Sequence, residues 1–186
     1  MAFPPHLDPA AGSWLPPEQY IETLPRSTAY ACLFLRDPHG LPLLLRSRIY
    51  QAGSGRQIWQ FAGGNLNHDE SPRAAAVRET AEETGLARPC GRLLAVHFLQ
   101  PEPSWPAAKH GYVFDGGTLD PADLSEIRLD PNEHTEWAAR PLAEWERVIP
   151  PRAYDRLRAV EEAARTRTTA YVEHTQDDAG AEGTSP

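Results

Sequence analysis

The chain has 186 residues, with 18 Lys+Arg against 26 Asp+Glu and a formal net charge of −8, and at this length one domain with a sizeable core is the expectation. Phosphate-directed nucleic-acid binding is driven by Lys/Arg neutralisation and is disfavoured by that charge, whereas a small phosphorylated ligand is not, because divalent cations can replace protein cations. No window approaches the ~20 consecutive apolar residues of a membrane span, and the first basic residue is Arg26, so neither a membrane protein nor a secretory leader is expected and a cytoplasmic protein is.

Six prolines fall within residues 1–25: Pro4, Pro5, Pro9, Pro16, Pro17 and Pro25. They fix φ and remove backbone donors, so this segment reads as an arm without a regular element. Trp14, Leu15 and Tyr20 would pin it to the body or meet a second subunit. The domain is expected over 26–170. Residues 29–35 (AYACLFL) are apolar and β-favouring, Asp37-Pro38-His39-Gly40 is a turn, and 41–48 (LPLLLRSR) returns as the second strand of a hairpin. Residues 57–61 (QIWQF) form a third short strand running into Ala62-Gly63-Gly64, where two glycines let the backbone turn sharply or approach a ligand closely. Cys32 and Cys90 are too few for a disulfide framework or a zinc site and read as ordinary small core residues.

Ser71 as N-cap, Pro72 at the first helical position and Gly85 at the C-terminus predict a helix over 72–84. Strands are expected at 92–99 and 111–115, with a Pro-rich loop carrying Trp105 between them, and short strands at 125–129 and 136–139. A turn of helix at 142–147 leads to a final helix over 151–166, in which Ala153, Leu157, Val160 and Ala164 form one apolar stripe. The composition after 170 is that of an acidic, solvated tail over 171–186. Strands interleaved with two helices predict an α+β architecture with a mixed sheet between helical layers.

The chemistry is concentrated in the 72–84 helix. Glu79, Glu82 and Glu83 stand at i, i+3 and i+4 on one face, where like charges destabilise a helix by roughly 0.2 to 0.5 kcal/mol per pair. A hard divalent cation compensates them directly: Mg²⁺ takes oxygen ligands from one or two carboxylates, waters and substrate phosphates. On these three residues alone, a solvated acidic face with Arg78 pairing Glu82 explains the pattern equally well. The surroundings shift the balance. From Gly64 the chain runs five residues to Glu70 and seven more to Arg78-Glu79-Thr80-Ala81-Glu82-Glu83-Thr84-Gly85-Leu86. This resembles the Nudix box, the signature of the Nudix hydrolase superfamily, and all seven invariant positions match. At a per-position frequency of roughly 7%, chance gives such a match on the order of once in a million chains of this length. Thr80 departs from the aliphatic residue of the pattern, and its hydroxyl is expected to bond back to the helix. Ala62 stands where many members carry Pro.

The resemblance implies the Nudix αβα sandwich and a set of roles. Glu79, Glu82 and Glu83 would bind Mg²⁺ or Mn²⁺, Arg78 would orient one of them, Glu70 would support the loop, and Gly63 and Gly64 would shape a turn lending a backbone carbonyl to the metal. The implied reaction is attack of water on phosphorus, cleaving the diphosphate of a nucleoside diphosphate linked to another group or of a nucleoside triphosphate. The general base would be a box glutamate or a later loop carboxylate, Glu133 or Glu136, each of which also reads as an exposed loop residue. Arg46, Arg48 and Arg56 are candidates to meet a phosphate, and Trp59 either stacks on a nucleobase or belongs to the core. His97 and His110 read as structural histidines. Pro101, 15 positions after Leu86, falls where ADP-sugar hydrolases of the superfamily carry a proline, a weak signal among 19 prolines. The competing reading is a non-catalytic nucleotide- or metabolite-sensing Nudix domain, whose box is usually eroded, as this one is not. Isopentenyl-diphosphate isomerase chemistry would need a cysteine in a polar strand motif, unlike Cys32, and mRNA decapping would favour a basic surface. Many members dimerise, and the arm could exchange between subunits of a homodimer.

Overall fold

The computed structural model describes residues 15–50, 57–103 and 105–175. Prolines do not prevent a helix in the arm: α1 (Pro17–Thr23) starts with Pro16 as N-cap and Pro17 in the first turn, where a missing N–H costs nothing. The expectation of no regular element there is corrected on that ground; Trp14 lies outside the described residues. Then come β1 (Ser27–Arg36), β2 (Pro42–Tyr50), β3 (Gln57–Gln60), β4 (Ala62–Asn65), α2 (Pro72–Thr84), β5 (Leu93–Leu99), β6 (Ala108–Thr118), α3 (Pro121–Glu126), β7 (His134–Ala139), α4 (Leu142–Val148), α5 (Pro151–Thr166) and β8 (Ala170–His174).

The strands form one mixed sheet ordered β3-β2-β1-β6-β5-β8, with β4 paired to β1 and β7 to β2. The β1–β2 hairpin is brief, holding only at Leu35↔Leu43 and Arg36↔Pro42. Beyond it the strands diverge: β1 takes β4 antiparallel and β6 parallel, while β2 takes β3 and β7. Alternation along β1 feeds two cores. Ala31, Leu33 and Leu35 pack toward α2 with Ala75 and Ala76; Cys32 and Phe34 face the other way, toward Trp145 of α4 and Leu157 and Val160 of α5. The expected stripe of the last helix is thus the docked face, with Ala163 buried beside it.

Three more expectations change. The double glycine does not turn: Ala62–Asn65 continues as strand β4 against Tyr30–Leu33, and Gly63 packs so closely that a Cβ would lie 2.3 Å from the Ala31 carbonyl oxygen. No strand forms at 125–129: Ser125 and Glu126 end α3, which Asp120 and Asp123 cap reciprocally and Pro121 opens, and 127–129 carry no regular element. Residues 171–174 of the expected tail belong to β8, which pairs parallel to β5 from Ala95↔Ala170 to Leu99↔His174. Among the described residues no helix is long and apolar enough to cross a membrane.

Candidate active site

The phase of α2 is fixed at both ends. Ser71 Oγ accepts from Ala74 N at 3.2 Å, Pro72 sits in the first turn, and Gly85 closes the helix at φ 75°. The small side chains of Ala75 and Ala76 let the helix lie close on the sheet, and this phase turns Thr80 and Glu83 inward as buried residues. Glu79 follows on the flank beside β4: a Cβ on Gly64 would lie 2.6 Å from its carboxylate and push that group aside.

Arg78 ties the outer carboxylates together. Its Nε and Nη2 donate to the two oxygens of Glu70 at 2.8 Å each, its Nη1 to Glu79 at 2.9 Å and Glu82 at 2.8 Å, and its Nη2 to the Asn65 carbonyl at 3.2 Å. Glu70 also accepts from Asn67 N at 2.9 Å. Hydrogen bonding to Arg78 holds the Glu70 carboxyl at about 2, well below its ordinary value, and the same carboxylates keep Arg78 protonated. Burial pushes Glu79 up, against the pull of Arg78 and with the push of Glu83 and Glu82. Glu82 is the exposed member of the set.

Glu83 is buried and fully engaged. Gly63 N donates to its Oε2 at 2.7 Å, and its Oε1 meets Nε2 of the equally buried His134 at 2.8 Å. Burial raises its pKa while His134 and the Gly63 N–H oppose the rise. Burial disfavours charge on His134, but the hydrogen bond and charge of Glu83 outweigh it and its pKa is raised. His134 is carried by a loop fastened to α2 itself: Asp130 N bonds the Glu83 carbonyl at 3.2 Å, Arg128 N bonds the Thr84 carbonyl at 2.8 Å, and His134 N bonds the Asp130 carbonyl at 2.9 Å. The loop also brings Glu133 forward, so that one ligand atom each from Glu83, Glu133 and His134 lie within 4.8 Å of one another.

Sequence reasoning names Glu79, Glu82, Glu83, Arg78 and Glu133; the fold sets Glu83 on Gly63 and Glu79 against Gly64, joins Glu82 to Glu79 through Arg78, and brings Glu133 beside Glu83. It does not gather the rest. Glu136 sits across from Arg46 on β7 and β2, the two joined at 2.6 Å. Arg48 spends its backbone N–H on the Glu133 carbonyl and its side chain on the Pro131 carbonyl, bracing the loop. Arg56 lies outside the described residues. Trp59 is buried against Trp145, with ring centroids 5.1 Å apart, and Arg140 packs over both rings, so the core reading holds and the nucleobase-stacking reading does not. Thr80 is buried without a hydrogen-bond partner for its hydroxyl, and it is Thr84 that bonds back, to the Thr80 carbonyl at 2.5 Å. His97 is a buried structural histidine between Tyr30 and His174, held neutral chiefly by burial at about 3. The Cys32 thiol is pushed up to about 12 by burial. His134 escapes sequence reasoning. One histidine in a polar loop has no spacing that links it to a helix 51 residues earlier.

The donor set fits a hard divalent cation: carboxylate oxygens dominate, and ligand oxygens of Glu83 and Glu133 lie within 4.8 Å of each other. A profile of the NUDIX domain matches residues 24–163, and the chain belongs to that family. It is 48% identical over 55 residues to the CTP pyrophosphohydrolase of Escherichia coli, a match covering 30% of this chain and 40% of that protein. It is 59% identical over 32 residues to the RNA pyrophosphohydrolase of Thioalkalivibrio sulfidiphilus, covering 17% and 18% of the two chains. The matched stretch is thus less than half the length of these curated relatives. Among solved structures, the MutT protein of Methanosarcina mazei Go1 superposes with a TM-score of 0.60 at 26% identity, over 77% of this chain and 96% of that one. The fold is the Nudix αβα sandwich.

Proposed function

We propose that the protein is a metal-dependent pyrophosphohydrolase that cleaves the diphosphate of a nucleoside triphosphate, or of a nucleoside diphosphate linked to another group, by attack of water on phosphorus. The observation that carries this reading is Glu83 on Gly63 and Glu79 against Gly64, with Glu82 tied to Glu79 through Arg78 and Glu133 beside Glu83, in a box whose seven invariant positions all match. The names of the matched relatives point the same way, and the net charge of −8 favours a small nucleotide over a polynucleotide.

Glu79, Glu82 and Glu83 are the residues that would hold Mg²⁺ or Mn²⁺. Bound there, the cation would supply positive charge to the diphosphate and acidify a water. The chain's own groups do the rest. Arg78 holds Glu79 and Glu82 in one arrangement against their mutual repulsion, and Glu70 locks Arg78 in turn. Glu133, exposed on the braced loop beside Glu83, would accept a proton from the attacking water. A cavity of about 460 Å³ lined by Thr28, Asn65, Asn67, His68 and Trp105 adjoins the end of β4 and is of a size to take the group attached to the diphosphate.

The test is release of phosphate and diphosphate with Mg²⁺ and then Mn²⁺, across nucleoside triphosphates, ADP-ribose, nucleotide sugars, dinucleoside polyphosphates and NADH. Turnover of one class far above the others, abolished in Glu82→Gln and Glu83→Gln proteins that remain folded, is expected. Full activity in either variant contradicts the reading, and tight ligand binding without release of any product replaces it with a sensor.

A further inference from the structure

We propose that His134 is a positioning residue for the metal site, fixing the carboxylate of Glu83 without itself binding the cation; this rests on the reading of Glu83 as a metal-binding group. Glu83 lies inside the protein, where a carboxylate oxygen without a partner is costly. One oxygen is satisfied by Gly63 N at 2.7 Å, and the other has the His134 imidazole at 2.8 Å. Those two contacts come from opposite sides, one from β4 and one from β7. Together they pin the rotation of the carboxylate about its last bond.

The approach of the imidazole is set by backbone. His134 opens β7 opposite Ser47 of β2, its N–H is bonded to Asp130, and Asp130 is bonded to the carbonyl of Glu83 itself. Arg48 closes the bracket through Glu133 and Pro131. The loop therefore cannot shift relative to the end of α2 without breaking several bonds. Glu133, the neighbouring residue, stays exposed while His134 is buried, so the two adjacent side chains divide the work: one faces the site and the other stands behind Glu83. Groups that orient metal-binding carboxylates are worth about 10- to 100-fold in metal affinity when removed.

The experiment is Mn²⁺ titration followed by electron paramagnetic resonance on the native protein and on His134→Leu, His134→Gln and Glu83→Gln, each checked for native circular dichroism. His134→Leu keeps bulk but loses the N–H, and is expected to weaken Mn²⁺ binding by about 10- to 100-fold. His134→Gln, which returns an N–H at similar reach, is expected to recover most of the loss. In activity, kcat should fall in His134→Leu with little change in KM. Electron spin-echo modulation of the native Mn²⁺ complex should show no directly coordinated imidazole nitrogen. Native affinity in a folded His134→Leu protein, no recovery by Gln, or a coordinated ¹⁴N signal overturns the proposal. The spectroscopic arm uses the native chain, so it decides even where a variant fails to fold. Native affinity in Glu83→Gln locates the failure instead in the reading of Glu83.

Discussion

Thr80 carries an internal cost. It is fully buried on the inner face of α2, its hydroxyl has no hydrogen-bond partner among the described residues, and it is the Thr84 hydroxyl that bonds back along the helix, to the Thr80 carbonyl. Thr80→Val removes the unpaired hydroxyl at nearly constant volume. A gain of about 1 kcal/mol is expected, seen as a rise in Tm of roughly 2–4 °C for a chain of this size; a fall in Tm would mean the hydroxyl has a partner in solution. Glu70 shows the opposite case. Its carboxyl is held at about 2 in the folded protein against 4.5 ordinarily, chiefly by Arg78. Its contribution to stability is therefore complete above pH 4.5 and lost as the pH falls toward 2. The Tm difference between the native protein and Glu70→Gln should be present at pH 6, shrink between pH 4.5 and 2, and vanish below; a difference independent of pH would show that Arg78 does not depend on Glu70.

Among elements, α2 was readable because its signals are local. Ser71, Pro72 and Gly85 set its ends within a residue, and the carboxylate spacing follows from helical geometry alone. β4 was not. Two glycines in a row read as a sharp turn or a close approach to a ligand, and only the neighbouring strand β1, which leaves no room for a Cβ at Gly63, explains why Gly63 is a glycine in a strand. For α3 the local signal existed, in Asp120, Pro121 and Asp123, but the apolar residues after it outweighed the cap in the sequence pattern. The loop that leads into β7 lies between these cases. Glu133 and Glu136 look alike in the sequence, and the register of β7 against β2 separates them, giving Glu136 to Arg46 and Glu133 to the site. His134 depends on the same register and had no signal of its own.

At the scale of the molecule, the sheet holds α2 on one face and α4 and α5 on the other, so the site is built where β4 and β7 reach past the central strands toward α2. The far edge is closed by β8, whose pairing with β5 no periodicity in so short a stretch revealed. It also supplies His174, which bonds the buried Nε2 of His97 at 2.9 Å. A chain ending at Thr169 should be less stable than one ending at Thr175 by at least about 1–3 kcal/mol, the cost of leaving a buried polar atom unpaired, while its Mn²⁺ affinity is unchanged. Thermal melting with Mn²⁺ titration measures both, and equal Tm values would show that β8 is dispensable. The most direct measurement of the central claim is hydrolysis of the best substrate of the panel in H₂¹⁸O with Mg²⁺, read by mass spectrometry. One ¹⁸O in a phosphorus-containing product, and no product from a folded Glu83→Gln protein, is the predicted result. Product without label in any phosphate, or a Glu83→Gln protein that turns over like the native one, would contradict it.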